Sequence, residues 1–176
     1  ISMKKLNRKK NKGILFWITG ISGSGKTTVA KMIKPEISRL FGPVILISGD
    51  KFRKIFNLKG YSEKERLIIA RQYSKFCKLV TDQKINLILS VVALKNEIRE
   101  WNRKNINNYV EIFIKIDKSF AKKNKKRIYS LKKNVVDVDI KPEFPKSPDI
   151  IVKNQRGKNI NNLSNIVLKK IKKLLI

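Results

Sequence analysis

Residues 16–33, FWITGISGSGKTTVAKMI, are the stretch that decides the predicted fold. An apolar run leads into a glycine-rich turn, and a lysine, two threonines and a helical pattern follow it. The turn fits G-x-x-x-x-G-K-[ST] at every fixed position and lies between a strand and a helix, the context in which such loops hold phosphate. A chance glycine turn is the alternative, and the flanking strand and helix count against it.

The residues of this loop have separate expected roles. The glycines let backbone N–H groups turn inward around the phosphates of ATP, at the positive end of a helix. Lys26 is predicted to contact the β- and γ-phosphates, and the Thr27 hydroxyl is predicted to bind Mg²⁺. The predicted ATP-binding residues are Gly20, Ser22, Gly23, Ser24, Gly25, Lys26, Thr27 and Thr28.

Short apolar runs alternate with longer amphipathic segments along the rest of the chain. This alternation predicts an α/β fold of the three-layer P-loop kinase type, with a mostly parallel sheet of about five strands and helices on both faces. Pro35 is expected to kink the first helix or end it early, and Ser62 with Glu65 predicts a capping box at the start of the second. The predicted strands are 14–19, 44–48, 86–93, 109–116 and 149–152, and the predicted helices are 25–40, 62–82, 95–106, 118–127 and 161–175.

The organisation of the chain is expected to be simple. Residues 13–176 are predicted to form a single domain after a basic tail of residues 1–12, in which residues 1–2 precede the first methionine as an expected expression remnant. Residues 128–148 contain three prolines and no sustained period, so we expect a lid loop there. Without a signal-peptide pattern or an apolar run of membrane-spanning length, we expect a cytoplasmic protein with no membrane partner.

The composition limits which partners and which catalytic side chains we expect. The net charge is +29, from 42 Lys and Arg against 13 Asp and Glu, which attracts anionic ligands and raises nucleic acid as a partner. Lysines are spread over every segment, so nucleic acid is the less favoured of the two. The single cysteine, Cys77, is expected to be a buried thiol. The chain has no histidine, so acid–base chemistry must rest on Asp, Glu, Lys or Tyr.

Asp50 follows the second predicted strand and is the candidate catalytic acid. The third strand ends in SVVA, residues 90–93, with no carboxylate, so Asp50 is the acid at a strand end on this side. Together with the short chain, it favours a kinase over a motor or a switch. Asp50 is predicted to orient an acceptor hydroxyl and take its proton, with Lys26 as its catalytic partner. Local sequence leaves open that Asp50 only caps a short following helix.

Three further segments extend the pattern beyond the loop. They are SGDKFR at 48–53, GYSEKERLIIARQ at 60–72 and PEFPKSPDIIV at 142–152. With the loop, they resemble the adenylylsulfate kinase family in order and content, from residue 13 to about residue 152. The resemblance implies transfer of the γ-phosphoryl group of ATP to the ribose 3′-hydroxyl of an anionic nucleotide, and a homodimer.

The resemblance also implies a set of acceptor-binding residues. Asp50 would contact Mg²⁺ and the reacting hydroxyl, two arginines would hold anionic groups, and Tyr61 would stack on the base. Without the resemblance, the arginines would be interpreted as ordinary surface charge and Tyr61 as packing. The implied acceptor-binding residues are Asp50, Arg53, Tyr61, Arg66, Lys132, Lys133 and Asp139.

The sequence departs from the family pattern on the acceptor side. Ser48 replaces an acid, Ile69 replaces an asparagine, residues 91–94 replace F-I-S-P, and Asp137 replaces a glycine. An intact ATP side with a changed acceptor side is typical of a new substrate. It resembles the cytidine diphosphoramidate kinase branch, whose acceptor is CDP-phosphoramidate in capsule phosphoramidate biosynthesis. Adenylylsulfate kinase activity, a nucleic-acid-binding NTPase and a non-catalytic nucleotide-binding protein are the alternatives.

Overall fold

A computed structural model describes residues 12–124, 136, 138–155 and 159–176 of the 176-residue chain. Its strands are β1 (Ile14–Thr19), β2 (Val44–Ser48), β3 (Asn86–Val91), β4 (Asn108–Ile116) and β5 (Ile150–Asn154). Its helices are α1 (Lys26–Phe41), α2 (Gly49–Ile55), α3 (Glu63–Asp82), α4 (Asn96–Asn105), α5 (Lys118–Asn124) and α6 (Ile160–Leu175).

The strands described form one parallel sheet in the order β2-β3-β1-β4-β5. Every residue of β1 and β3 is buried, because helices cover the sheet on both faces. The predicted α/β architecture is therefore confirmed. Since β3 lies between β1 and β2, the carboxyl ends of these three strands meet at one edge of the sheet, where parallel sheets place their ligands.

The two faces of the sheet carry separate apolar cores. On one face, α1 and α6 pack on side chains that include Phe16, Ile18 and Ile112. On the other face, α3 and α4 pack on side chains that include Trp17 and Leu89. These neighbouring residues alternate between the faces as successive strand residues must. Both cores hold the strand ends in place beneath the site.

The first helix continues through Pro35 to Phe41, one residue beyond the predicted end, so of the two effects expected of Pro35, a kink or an early end, the early end is wrong. Pro35 is exposed, whereas Ile33 and Ile37 are fully buried against the sheet. Proline costs the helix a hydrogen bond, but here its ring lies on the solvent side. Burial of the two isoleucines, about 1.5–3 kcal/mol each, outweighs that loss.

Two local predictions are confirmed in α3. Ser62 accepts the N–H of Glu65 while the Glu65 carboxylate accepts the N–H of Ser62, which completes the capping box. Cys77 lies fully buried in the core, and that burial raises the pKa of its thiol well above the usual range. A thiol held protonated in this way is unreactive.

Charge is buried inside β4, where the sequence pattern predicts an apolar strand. Glu111 is 3% exposed and pairs with Arg99 at 3.2 Å and with Arg103 at 2.7 Å. Arg103 also pairs with Asp149, whose Oδ2 accepts the N–H of Glu111 at 2.7 Å. Burial raises the pKa of Glu111, and the two arginines oppose that shift. The network ties α4 to the start of β5.

The expected lid, residues 128–148, is described in part. Apart from an isolated bridge between Val136 and Ile140, its described residues form neither helix nor strand. Lys132, Lys133 and Asp137 lie outside the described residues. Among the residues that are described, no helix has both the length and the apolar character that crossing a bilayer requires.

Candidate active site

The turn between β1 and α1 depends on glycines with left-handed backbone. Gly23 has φ of 83° and Gly25 has φ of 91°, values that residues with a Cβ rarely adopt. A Cβ at Gly23 would also lie 2.5 Å from the carbonyl oxygen of Ala121 in α5. The loop therefore curls tightly against α5, and only glycine fits at this point.

Lys26 places its ammonium inside this curl. Its Nζ donates to the carbonyl oxygen of Ile21 at 2.6 Å and to Ser24 Oγ at 3.3 Å, and the residue is only 8% exposed. A buried cation at a helix start, beside turned-in backbone N–H groups, creates a strongly electropositive recess. Such a recess is complementary to phosphate.

Other segments support the loop and carry no sequence signal of their own. Asn154, at the end of β5, donates from Nδ2 to the carbonyl oxygen of Ser24 at 3.0 Å. Phe120 of α5 and Ile160 of α6 line the cavity next to it. These residues meet the loop because β5 ends, and α5 begins, at the sheet edge where β1 ends, so the sequence pattern alone does not reveal them.

A cavity of about 640 Å³ lies above the loop and is also lined by α2 and by the segment that enters α3. Ligand sites in proteins commonly have volumes of about 300–1,000 Å³. Most of the predicted site residues meet here. Those that line the cavity are Ser22, Gly23, Gly25, Lys26, Thr27, Thr28, Asp50, Arg53, Tyr61 and Arg66.

The other predicted site residues do not line the cavity or lie outside the described part of the chain. Gly20 and Ser24 are buried within the loop and are not part of the cavity lining. Asp139 is exposed and also lies outside the lining. Lys132 and Lys133 are not among the described residues, so their predicted contacts stay predictions.

Asp50 lies in the first turn of α2, directly after β2. The cap of this helix is Ser48, whose hydroxyl accepts the N–H of Lys51 at 3.2 Å. The alternative in which Asp50 is the helix cap is therefore wrong. Asp50 is exposed and lines the cavity, where its carboxylate can meet a ligand.

Arg53 and Arg66 flank the ring of Tyr61. The guanidinium carbons lie 4.8 Å and 5.3 Å from the ring centroid, within the range of cation–π attraction. Arg53 donates to the carbonyl oxygen of Gly60 at 2.8 Å, and Arg66 donates from Nε to that of Tyr61 at 2.8 Å. The chain thus holds two cationic forks at the cavity wall.

The pKa of Arg66 is affected by burial and by the nearby charge of Arg53. Burial lowers its pKa, and the nearby charge of Arg53 lowers it further, while Tyr61, Tyr73 and Asp50 act in the opposite sense. Two guanidinium groups so near each other favour a bound anion that relieves their repulsion. The arrangement suits phosphate-like oxygens.

Tyr73 is a further cavity residue, which no sequence motif indicates. It is 5% exposed and donates from its hydroxyl to the carbonyl oxygen of Gly49 at 3.2 Å. Its ring packs edge-on against Phe52, with centroids 4.8 Å apart. Burial raises the pKa of the Tyr73 hydroxyl, so the group stays a neutral donor that anchors α2 beside Asp50.

The oxygen donors in the cavity fit a magnesium ion shared with a ligand. Thr27 is exposed in the first turn of α1, and Asp50 lines the same cavity. Hydroxyl and carboxylate oxygens are hard ligands of the kind Mg²⁺ accepts, with phosphate and water completing its shell. The described residues contain no group of three or more His, Cys, Asp or Glu that could hold a metal ion alone.

Lys95 joins three segments at the edge of the cavity. Its Nζ pairs with Glu63 in the first turn of α3 and with Glu143 Oε1 at 3.0 Å. The other Glu143 oxygen accepts the N–H of Asn96 at 2.7 Å, and its main-chain oxygen accepts from Arg99 at 2.6 Å. The segment around Glu143 is therefore firmly attached to the start of α4, and Lys95 extends this attachment to α3.

Comparison with known proteins assigns the family. The family model described as adenylylsulphate kinase matches residues 12–153, which include both the phosphate loop and the Asp50–Arg66 wall of the cavity. The chain belongs to the adenylylsulphate kinase family. It is accordingly a kinase, as the resemblance implies.

Relatives within the adenylylsulphate kinase family carry different names. The chain is 32% identical to a cytidine diphosphoramidate kinase of Campylobacter jejuni, over 92% of this chain and 98% of the relative. It is also 32% identical to a probable adenylyl-sulfate kinase of Archaeoglobus fulgidus, over 78% of this chain and 94% of the relative. Identity is equal in the two cases, and coverage is greater in the first.

A solved structure from the family shares the fold. The Mycobacterium tuberculosis APS kinase CysC, in complex with AMPPNP and APS, superposes with a TM-score of 0.79 at 22% identity, over 92% of this chain and 98% of that one. At this identity the likeness supports the fold alone. The three-layer architecture with its loop after β1 is therefore that of an adenylylsulphate kinase.

Proposed function

We propose that this protein transfers the γ-phosphoryl group of ATP to the ribose 3′-hydroxyl of CDP-phosphoramidate. One observation carries the proposal: the phosphate loop with Lys26 and Thr27 lines the same cavity as Asp50 and the paired arginines. A donor and an acceptor nucleotide bound at these two parts would bring a terminal phosphate towards a sugar hydroxyl. Such positioning is the main requirement of phosphoryl transfer.

Each side chain has a defined part in this reaction. Lys26 would place its charge on the β- and γ-phosphates, and Asp50 would orient the 3′-hydroxyl and accept its proton. The chemistry that Mg²⁺ supplies in such a site is neutralisation of phosphate charge, and Thr27 and Asp50 are the residues that would hold it.

The choice of acceptor is supported by the changed acceptor side. Ile69, where the family pattern has a polar asparagine, is 4% exposed and packs in the α3 core, while Ala70 lines the cavity. Val91, Val92 and Ala93 give the adjoining wall an apolar surface. The relative with the greater coverage carries the cytidine diphosphoramidate kinase name, which favours this acceptor over adenylylsulfate.

The decisive experiment is an acceptor panel. The enzyme, ATP and Mg²⁺ are mixed separately with CDP-phosphoramidate, adenylylsulfate, CDP and water alone, and ADP release is followed. Phosphorus NMR then locates the new phosphate. We expect fast turnover and a 3′-phosphate with CDP-phosphoramidate. Fast turnover of adenylylsulfate alone would replace this proposal with adenylylsulfate kinase activity.

The same panel separates the more distant alternatives. A single-stranded oligonucleotide is included, and ATP hydrolysis that it stimulates would favour a nucleic-acid-dependent NTPase. Tight ATP binding without phosphorylation of any acceptor would favour a non-catalytic nucleotide-binding protein. A gel shift at physiological ionic strength gives an independent measure of oligonucleotide binding.

Further parts of the proposal concern closure and assembly. We propose that residues 128–148 act as a lid, with Lys132, Lys133 and Asp139 closing over the nucleotides, and that the protein is a cytoplasmic homodimer used in capsule phosphoramidate biosynthesis. Light scattering of the purified protein measures the assembly state directly.

A further inference from the structure

Ser90 occupies a central position in the site, and the proposed reaction assigns it no role. It lies near the carboxyl end of β3, paired in register with Ile18 of β1 on one side and Ser48 of β2 on the other. β1 leads to the phosphate loop, and β2 leads to Asp50. Ser90 is 3% exposed and lines the cavity, so it lies between the two parts of the site.

The side chain of Ser90 contacts the predicted metal ligand. The oxygens of the Ser90 and Thr27 hydroxyls are 3.3 Å apart, and either can donate. A hydroxyl that binds a cation does so through a lone pair, so its proton must point elsewhere. Ser90 Oγ offers the Thr27 proton an acceptor on the side of the strand, which leaves a Thr27 lone pair for the cavity.

We propose that Ser90 is a positioning residue that orients the Thr27 hydroxyl for magnesium-bound nucleotide. Neither β3 nor the two residues after it carry a carboxylate, so Ser90 performs this orientation without adding negative charge beside the phosphates. The inference rests on the part of the proposed function in which the loop binds ATP with Mg²⁺. It is independent of the acceptor.

Nucleotide binding, rather than turnover, tests the role. Titration calorimetry gives the dissociation constant of AMPPNP with Mg²⁺ and with EDTA, and their ratio is the magnesium-dependent gain in affinity. In Ser90→Ala we expect this gain to fall about three- to tenfold, the usual worth of one hydrogen bond. Affinity in EDTA should change less than about twofold.

Two additional variants separate the hydrogen bond from packing. Ser90→Cys nearly preserves the side-chain volume but accepts a hydrogen bond poorly, so it should lose the gain as Ser90→Ala does. Ser74→Ala removes another buried hydroxyl, 2% exposed in α3 and outside the cavity lining, and should leave the gain unchanged. A full gain in Ser90→Cys would overturn the proposal.

A double-mutant cycle then asks whether Ser90 acts through Thr27. Thr27→Val removes the hydroxyl and should itself lower the gain. Adding Ser90→Ala to Thr27→Val should cause no further loss, because the group that Ser90 orients is absent. Equal losses in both backgrounds, or no gain in the wild type, would overturn the inference. Failure of every acceptor in the panel would refute the proposed reaction and leave this cycle intact.

Discussion

At the scale of single residues, Asp50 carries the most specific chemical claim. Since Ser48 caps α2, the Asp50 carboxylate is not needed to start that helix and can face a ligand. Asp50→Asn preserves shape and hydrogen-bonding capacity but removes the charge and the proton acceptor. We expect transfer to fall at least about 100-fold, with AMPPNP affinity in EDTA nearly unchanged.

Coupled ADP assays and calorimetry measure the two quantities for Asp50→Asn. Glu97→Gln is a matched control, because it neutralises an exposed carboxylate that pairs with Arg71 on α3 and lies outside the cavity lining. Transfer at the wild-type rate in Asp50→Asn would exclude Asp50 as the proton acceptor.

The sequence predicted some residues of the site and missed others for a physical reason. Lys26 and Thr27 belong to a loop whose fold depends on glycines close to them in sequence. The motif is therefore contained in one continuous stretch of chain and can be recognised from the sequence. Asn154, Tyr73 and Ser90 reach the cavity through sheet order and helix packing. Such placement depends on contacts distant in sequence, and the residues themselves have no distinctive neighbours.

At the scale of elements, Lys95 couples the start of α3 to the start of α4. Tyr61 lies just before α3 and Arg66 lies near its start, so under the proposed function the position of this end of α3 decides where the acceptor binds. In Lys95→Met we expect the KM of the acceptor to rise about two- to fivefold, consistent with a partly exposed ion pair, while the KM of ATP stays constant. Steady-state kinetics with one substrate saturating separates these values.

A control for the Lys95 prediction lies at the other end of α3. Lys78 pairs with Asp82 one turn away, at 2.6 Å, and is outside the cavity lining. Lys78→Met should therefore leave both KM values unchanged. If the two variants behave alike, Lys95 has no special part in holding the acceptor wall.

Helices α1 and α6 are joined by a pH-dependent pair. Hydrogen bonds from Arg39 and then Lys172 lower the pKa of Glu36 from 4.5 to about 2. A carboxyl with a lowered folded-state pKa stabilises the fold above its unfolded pKa and loses that contribution as pH falls through the folded one. The difference in Tm between wild type and Glu36→Gln should therefore be full above about pH 5 and vanish towards about pH 2.

Scanning calorimetry across this pH range tests the Glu36 prediction. Lys172→Met removes one of the two partners of Glu36 and should show part of the same pH-dependent loss. A Tm difference that stays constant from neutral to acid pH would mean that the pair does not contribute through its charge.

The limits of the helices and strands show what the pattern of apolar residues predicts correctly and what it misses. β1 and β2 have the predicted limits, because each is an apolar run that ends at a polar or glycine residue. α1 also lies within one residue of its predicted limits, because the buried contacts of Ile33 and Ile37 outweigh the low helix propensity of Pro35. Glu111 was included in a predicted apolar strand, but the arginines that neutralise it come from α4.

At the scale of the whole molecule, the excess of basic residues dominates the electrostatics. The 13 acids face 42 Lys and Arg, and many of the acids are already paired. Those in ion pairs between described residues include Glu36, Glu63, Asp82, Glu97, Glu111, Glu143 and Asp149. The remaining lysines therefore repel one another.

Salt should relieve this repulsion. Raising NaCl from about 20 mM to about 300 mM shortens the screening length from about 20 Å to about 6 Å. We expect the Tm to rise by several degrees, because screening weakens the surplus repulsion more than it weakens the close pairs. A Tm that falls with NaCl would mean that ion pairs outweigh the repulsion.

The stretch of chain from α2 to the start of α3 has a consequence for how substrate use diverges within the family. Asp50, Arg53, Tyr61 and Arg66 come from one short, continuous piece of chain, whereas the phosphate loop is encoded well upstream. Under the proposed function, mutations in this small part of the gene can change much of the acceptor site while the use of ATP is inherited unaltered.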